Sequence, residues 1–222
     1  MEGRRRTAAP ALALALLALL HVAACAGSAA AARAVPEHHA REVTSPAEFI
    51  RSRCGTTEYP HLCVSSLSAY ADTIRTSPTQ LADAALSVSL SHARSTKALV
   101  AKLSAGKDAM GRRVGSAIRD CMETMGDSVD ELRESMRAMA GLSVGGKGKG
   151  HGKVDLGLQM DNILTWVSAA LTDEDTCMDE FAGKAMDGEV KAALRGHVSK
   201  VARLTSNALA LVNGLSSSIN YP

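Results

Sequence analysis

The sequence has 222 residues, of which 46% are hydrophobic, 22% charged and only 3% aromatic, with a formal net charge of +2. That length serves one core of ordinary size and is short for two domains, and the hydrophobic fraction is too high for a disordered chain. Few aromatic side chains are present to stack bases, and the small charge excludes the basic field of a nucleic-acid binder.

Arg4, Arg5 and Arg6 precede an apolar run from Ala8 to Leu20, and small residues follow at Ala24, Ala26, Gly27 and Ser28. A basic head, a short apolar middle and an Ala-x-Ala step predict a secretory signal over residues 1–26. A membrane anchor needs about 20 apolar residues, and Ala dominates this run, so cleavage is the expectation. The mature chain then carries 22 Lys+Arg (25 less Arg4, Arg5 and Arg6) and 22 Asp+Glu (23 less Glu2), a balance near zero. Cys25 leaves with the signal, and Cys54, Cys63, Cys121 and Cys177 remain. In a secreted chain they read as two disulfides; three pairings are possible, and spacing alone does not select one.

Residues 27–44 read as a loose lead-in. Ser45-Pro46-Ala47-Glu48 is a helix start, with a capping Ser, Pro at the first helical position and Glu at the third. Gly55 to Pro60 is turn-prone, so residues 46–71 form two short helical pieces that a Cys54–Cys63 bond would staple into an αα-hairpin. Ser77-Pro78-Thr79-Gln80 repeats the cap and opens a longer helix with Leu86, Leu90, Ala93, Val100 and Leu103 on its apolar side, and Gly106 as its stop. Val114, Ile118, Cys121, Met125, Val129, Leu132, Met136 and Met139 step by three or four throughout. Leu156, Met160, Ile163, Val167, Ala170, Cys177 and Phe181 keep that phase with a polar gap at Glu174, and a last stripe runs from Leu194 through Val198, Val201, Leu204, Ala208 and Leu211 to Leu215.

No alternating β pattern competes, so the expected fold is all-α: an up-and-down four-helix bundle over 78–214, with helices near 78–105, 109–140, 154–182 and 187–214, plus the hairpin. A single domain would run over 45–215. Cys121 and Cys177 both lie on the apolar phase, where a bond would tie two neighbouring helices. Pairing 54–63 with 121–177 is therefore preferred, the closures contributing about 3 and about 4 kcal/mol on a loop-entropy estimate. Gly145 to Lys153 reads by composition as a solvated linker whose three lysines would at most touch an anionic polymer.

Catalytic patterns are missing. No two of the seven histidines sit at the spacing of a helical zinc pair; His38-His39 reads as solvated, and His92 and His197 fall within helices. There is no nucleophile elbow or phosphate-cradling glycine loop, and paired cysteines leave no free thiol. The reading is a protein that is not an enzyme and has no metal or cofactor.

Arg53-Cys54-Gly55-Thr56-Thr57-Glu58-Tyr59-Pro60-His61-Leu62-Cys63 resembles the amino-terminal hairpin of the plant invertase and pectin methylesterase inhibitors. Arg119-Asp120-Cys121-Met122-Glu123 with Asp127 to Leu132, Thr165-Trp166-Val167 leading to Asp175-Thr176-Cys177, and Leu204-Thr205-Ser206-Asn207-Ala208-Leu209 agree in order, so the likeness covers about residues 45–215. The resemblance implies the disulfides 54–63 and 121–177, a four-helix bundle, a secreted, apoplastic monomer and inhibition of another enzyme by 1:1 docking, with no membrane or nucleic-acid partner.

Two targets compete. Invertase inhibitors resemble one another in a Pro-Lys-Phe tripeptide that is absent here, since both phenylalanines follow glutamate. The Trp166 and Asn207 segments are more similar to the methylesterase inhibitors, so pectin methylesterase is the favoured partner, invertase the alternative, and a secreted carrier of apolar ligands a remoter one. In the methylesterase inhibitors the enzyme meets acidic and polar residues around the second cysteine pair. The matching positions are Glu123, Asp127, Asp130, Thr176 and Asp179. Steps of four and three place the first three in one stripe off the apolar phase. Most helices carry such a solvated face, so it is the resemblance that gives this one a role.

Overall fold

Helices begin where the sequence supplies caps. In this computed structural model, which describes residues 45–105, 111–144, 156–182 and 188–219, the Ser45 hydroxyl accepts the Glu48 N–H at 3.3 Å and opens α1, Pro46–Cys54. Ser77 does the same for Gln80 at 3.3 Å and opens α4, Pro78–Ser104. Each cap satisfies one of the orphan donors at a helix start, and Pro follows at the position where its missing N–H costs nothing. Between them lie α2, Pro60–Leu67, a 3₁₀ turn at Ser68–Tyr70 and the short α3, Ala71–Ile74. Arg75 then takes φ 52°, the one positive φ among the described non-glycine residues, and the chain reverses into α4 over the buried Ile74. The remaining bundle helices are α5, Arg112–Val144, α6, Leu156–Asp179, and α7, Glu189–Ile219.

The long helices pack in chain order, α4 on α5, α5 on α6 and α6 on α7, and α7 closes the ring against α4. This is the up-and-down bundle that four apolar stripes dictate. Ile118, Cys121, Met125, Val129, Leu132 and Met139 of α5 are buried, and on α7 every residue of the stripe from Leu194 to Leu215 is buried. The stripe fails once. Leu156 is 46% exposed, because it stands at the very start of α6, where the neighbouring helices give it nothing to pack against. The described helices α5 and α7 also run further than expected at their C-terminal ends, to Val144 and Ile219, while α5 starts three residues late and α6 ends three residues early, at Asp179.

The hairpin is bridged by Cys54–Cys63, and α2 lies against α4 and α7. Its seat is polar. Asn207 of α7 accepts the Tyr59 N–H through Oδ1 at 3.0 Å and donates from Nδ2 to the Tyr59 carbonyl at 3.0 Å. Both backbone groups of a turn residue are thereby satisfied by one side chain, as buried polar groups require. Ser206 donates to Glu58 at 2.8 Å, the Tyr59 hydroxyl donates to the same carboxylate at 2.9 Å, and the Arg203 guanidinium lies 5.4 Å from the Tyr59 ring centre.

The proposed signal and lead-in, 1–44, the glycine-lysine loop, 145–153, and the Gly106 stop lie outside the described residues. Among those described, no helix is long and apolar enough to cross a membrane.

Candidate functional site

The second disulfide, Cys121–Cys177, joins the first third of α5 to the last turn of α6, with the two Cα atoms 4.2 Å apart. Such a bond fixes helix register at the point where side chains from both helices reach solvent. Glu123, Asp127 and Asp130 are exposed on α5; Thr176 is half-buried and Asp179 exposed on α6. Glu123, Asp127 and Asp130 thus share the exposed side of α5, while Thr176 and Asp179 stand on either side of Cys177 on α6, and the two helices pack against each other.

They are not equivalent. Asp130 forms an ion pair with Arg133 one turn along its own helix. Thr176 donates its hydroxyl to the Thr172 carbonyl at 2.8 Å, leaving an acceptor toward solvent. Asp127 makes no ion pair among the described residues and lies beside two further carboxyl groups, Glu131 of α5 and Asp173 of α6. These last two meet across the seam. Neither can donate to the other unless a proton is present, because an ionised carboxylate only accepts. Burial, then the Asp173 charge and hydrogen bond, then Asp127 push the Glu131 carboxyl up to about 7. Asp173 is raised as well, by burial and by Asp127, against the hydrogen bond that lowers it. The two carboxyls therefore titrate as a pair beside Asp127, with Glu131 keeping its proton to higher pH than an ordinary carboxylate.

Beneath the surface lies Glu174, fully buried where a stripe residue was interrupted. Its Oε1 accepts from Ser128 of α5 at 2.8 Å and from Thr205 of α7 at 3.0 Å, so one carboxyl ties three helices. Burial raises it to about 8 in spite of both hydrogen bonds, which pull it down. A charged carboxylate would be expensive there, and the neutral acid is the form that fits. The polar gap is therefore a core residue and not a break in the face.

Sequence reasoning missed Glu131, Asp173 and Glu174. Glu174 carried one signal, its place on the apolar phase; the other two carried none, since their meeting depends on how α5 and α6 are set against each other. Among the described residues no group of three or more His, Cys, Asp or Glu side chains is placed to hold a metal ion. The seam presents charge and hydrogen-bond acceptors on rigid helices.

The description "Plant invertase/pectin methylesterase inhibitor" belongs to a family model that matches residues 48–211. The 21 kDa protein of Daucus carota is 48% identical over 166 residues, covering 75% of this chain and 82% of the relative. Pectinesterase inhibitor 9 of Arabidopsis thaliana is 47% identical over 180 residues, covering 79% of this chain and 85% of that protein. A crystal structure of a mutant form of a pectin methylesterase inhibitor from Arabidopsis superposes with a TM-score of 0.56 at 20% identity, over 72% of this chain and 92% of the other, and so shares its fold.

Proposed function

The chain belongs to the plant invertase/pectin methylesterase inhibitor family, and from that premise we propose that it is a secreted, monomeric inhibitor of pectin methylesterase that acts by 1:1 docking. The likeness to a relative named as a pectinesterase inhibitor carries the choice of target. The absence of Pro-Lys-Phe from the sequence supports the esterase over invertase. Secretion into the cell wall follows from the leader-like segment at 1–26 and suits a chain stapled by two disulfides.

The docking face is the α5–α6 seam, with Glu123, Asp127, Asp130, Thr176 and Asp179 as its polar contacts. The bundle lies across the pectin-binding cleft of the enzyme and excludes substrate, and the inhibitor contributes no chemistry. Helices locked by a disulfide are preorganised, so little backbone freedom is lost on binding. Their carboxylates would form charge-assisted hydrogen bonds with polar or basic groups at the cleft. Asp127 is the central contact, being exposed and free of an ion pair among the described residues, whereas Asp130 must first leave Arg133.

The test is a titration of the oxidised protein against a plant pectin methylesterase and a cell-wall invertase at mildly acid pH. Inhibition of the esterase alone is expected. Asp127→Lys should weaken that inhibition at least about tenfold, as reversing a charge in a desolvated contact does, with helical content kept and the melting temperature not lowered, since the change also removes a negative charge beside Glu131 and Asp173. Inhibition of invertase alone would overturn the choice of target, and an unaltered inhibition constant in the variant would remove the seam from the interface.

A further inference from the structure

Charge on this bundle is sorted by helix. Between Leu156 and Ala182 there is no Lys or Arg, while Asp161, Asp173, Asp175, Asp179 and Glu180 are all present. On α7 the order is reversed: after Glu189 no acidic residue follows, and Lys191, Arg195, Lys200 and Arg203 do. Arg195, Lys200 and Arg203 are exposed, and none of the three forms an ion pair among the described residues. His92 of α4 is held below its ordinary value, by burial first and then by the charges of Lys200 and His197.

The three cations line a groove. It has a volume of about 650 Å³ and runs between α7, the hairpin helix α2 and the end of α6. Gly196 and Ser199 form its floor on α7, and a Cβ at Gly196 would meet nothing, so the backbone there is open to a ligand. Leu62 and Met178 supply an apolar wall, and Asp175 an acceptor. Asp175, Met178, Ser199 and Arg203 also line a second hollow of about 290 Å³, which reaches Glu58 and Ser206, so the depression continues along the helix. The combined size lies within the range of roughly 300–1,000 Å³ typical of ligand clefts.

We propose that this α7 groove binds a linear polyuronate, the de-esterified form of pectin. From Arg195 to Arg203 is eight residues, so the cations spread over about 12 Å along the helix axis at 1.5 Å per residue. A row of that length suits a polymer with one carboxylate per sugar better than a single small anion. Arginine pairs with carboxylates in bidentate geometry. Sugar hydroxyls, for their part, need the mixed lining that Ser199 and Asp175 provide, and a sugar face can lie on Leu62 and Met178. The choice of polyuronate rests on the proposed function, because removal of a methyl ester by the target enzyme leaves one such carboxylate. The groove's cations lie on α7 and Asp127 on α5, so inhibitor seated through Asp127 could hold the product polymer at the same time and remain where de-esterification has occurred, although Asp175 and Met178 of the groove adjoin Thr176 and Asp179 of the docking face on α6.

Binding of a short galacturonate oligomer to the oxidised full chain is measured by calorimetry, beside the same oligomer fully methyl-esterified and vesicles containing an anionic phospholipid. The de-esterified oligomer should bind, weaken with added salt, and lose about tenfold or more in affinity in the Arg195→Ser, Lys200→Ser double variant. That variant should inhibit the esterase as the native chain does, while Asp127→Lys should bind the oligomer normally. Failure of esterase inhibition with oligomer binding intact would sink the functional reading alone. No oligomer binding, equal binding of the esterified form, binding only to vesicles, or an unaffected double variant would each overturn the groove.

Discussion

Two joints hold this protein together, and they solve the same problem with different chemistry. At the α5–α6 seam a disulfide lies over a buried carboxyl, Glu174, that receives hydroxyls from Ser128 and Thr205. At the hairpin a disulfide lies beside a turn whose backbone is clasped by the amide of Asn207. Each polar side chain satisfies two partners that come from distant parts of the chain. The amide is neutral at every accessible pH, whereas the carboxyl is neutral only while it holds a proton. The Glu174 anchor is therefore coupled to pH and the Asn207 clasp is not.

The strongest way to break the comparison is to remove the seam's anchor. Glu174→Ala would leave the Ser128 and Thr205 hydroxyls facing a cavity, and thermal or denaturant unfolding should register a loss of about 3 kcal/mol. Glu174→Gln should cost much less, since a neutral amide of the same shape can still accept both hydroxyls.

Titration sharpens the contrast. An acid whose value is raised on folding, as for Glu174 from 4.5 to about 8, binds its proton more tightly in the native state. Its contribution is fully present below pH 4.5, falls as pH rises through that window and is lost above about 8. Glu131, Asp173 and Asp175 are shifted in the same direction, mainly by burial, and add to the slope. His92, held down, acts oppositely and costs stability as pH falls below its ordinary value. The melting temperature measured from pH 5 to 9 should fall by several degrees, the equivalent of a few kcal/mol, and Glu174→Gln should flatten most of that fall. A native protein with no fall would show that Glu174 is not the neutral acid described.

The hairpin variant gives the smallest effect. Asn207→Ala strands the Tyr59 N–H and carbonyl and should cost about 2 kcal/mol. Its loss should be the same at pH 5 and pH 8, and proteolysis should begin between Cys54 and Cys63. A loss that varied with pH would couple the two joints and end the distinction.

The sequence by itself determined the helices and the side each one buries. Ser45 and Ser77 with their prolines marked two helix starts, and steps of three and four named the core residues of α5 and α7, because caps and amphipathic periodicity act over four or five residues. It placed Glu123, Asp127 and Asp130 on one stripe for the same reason. Only the tertiary structure decided what that stripe adjoins. Glu131 meets Asp173, Glu174 meets Ser128 and Thr205, and Asn207 holds Tyr59 from 148 residues away. Leu156 illustrates the converse, a residue with the right phase and no neighbour. Periodicity states which way a side chain points from its own helix; whether a core, a carboxyl or water waits there depends on where the other helices pack.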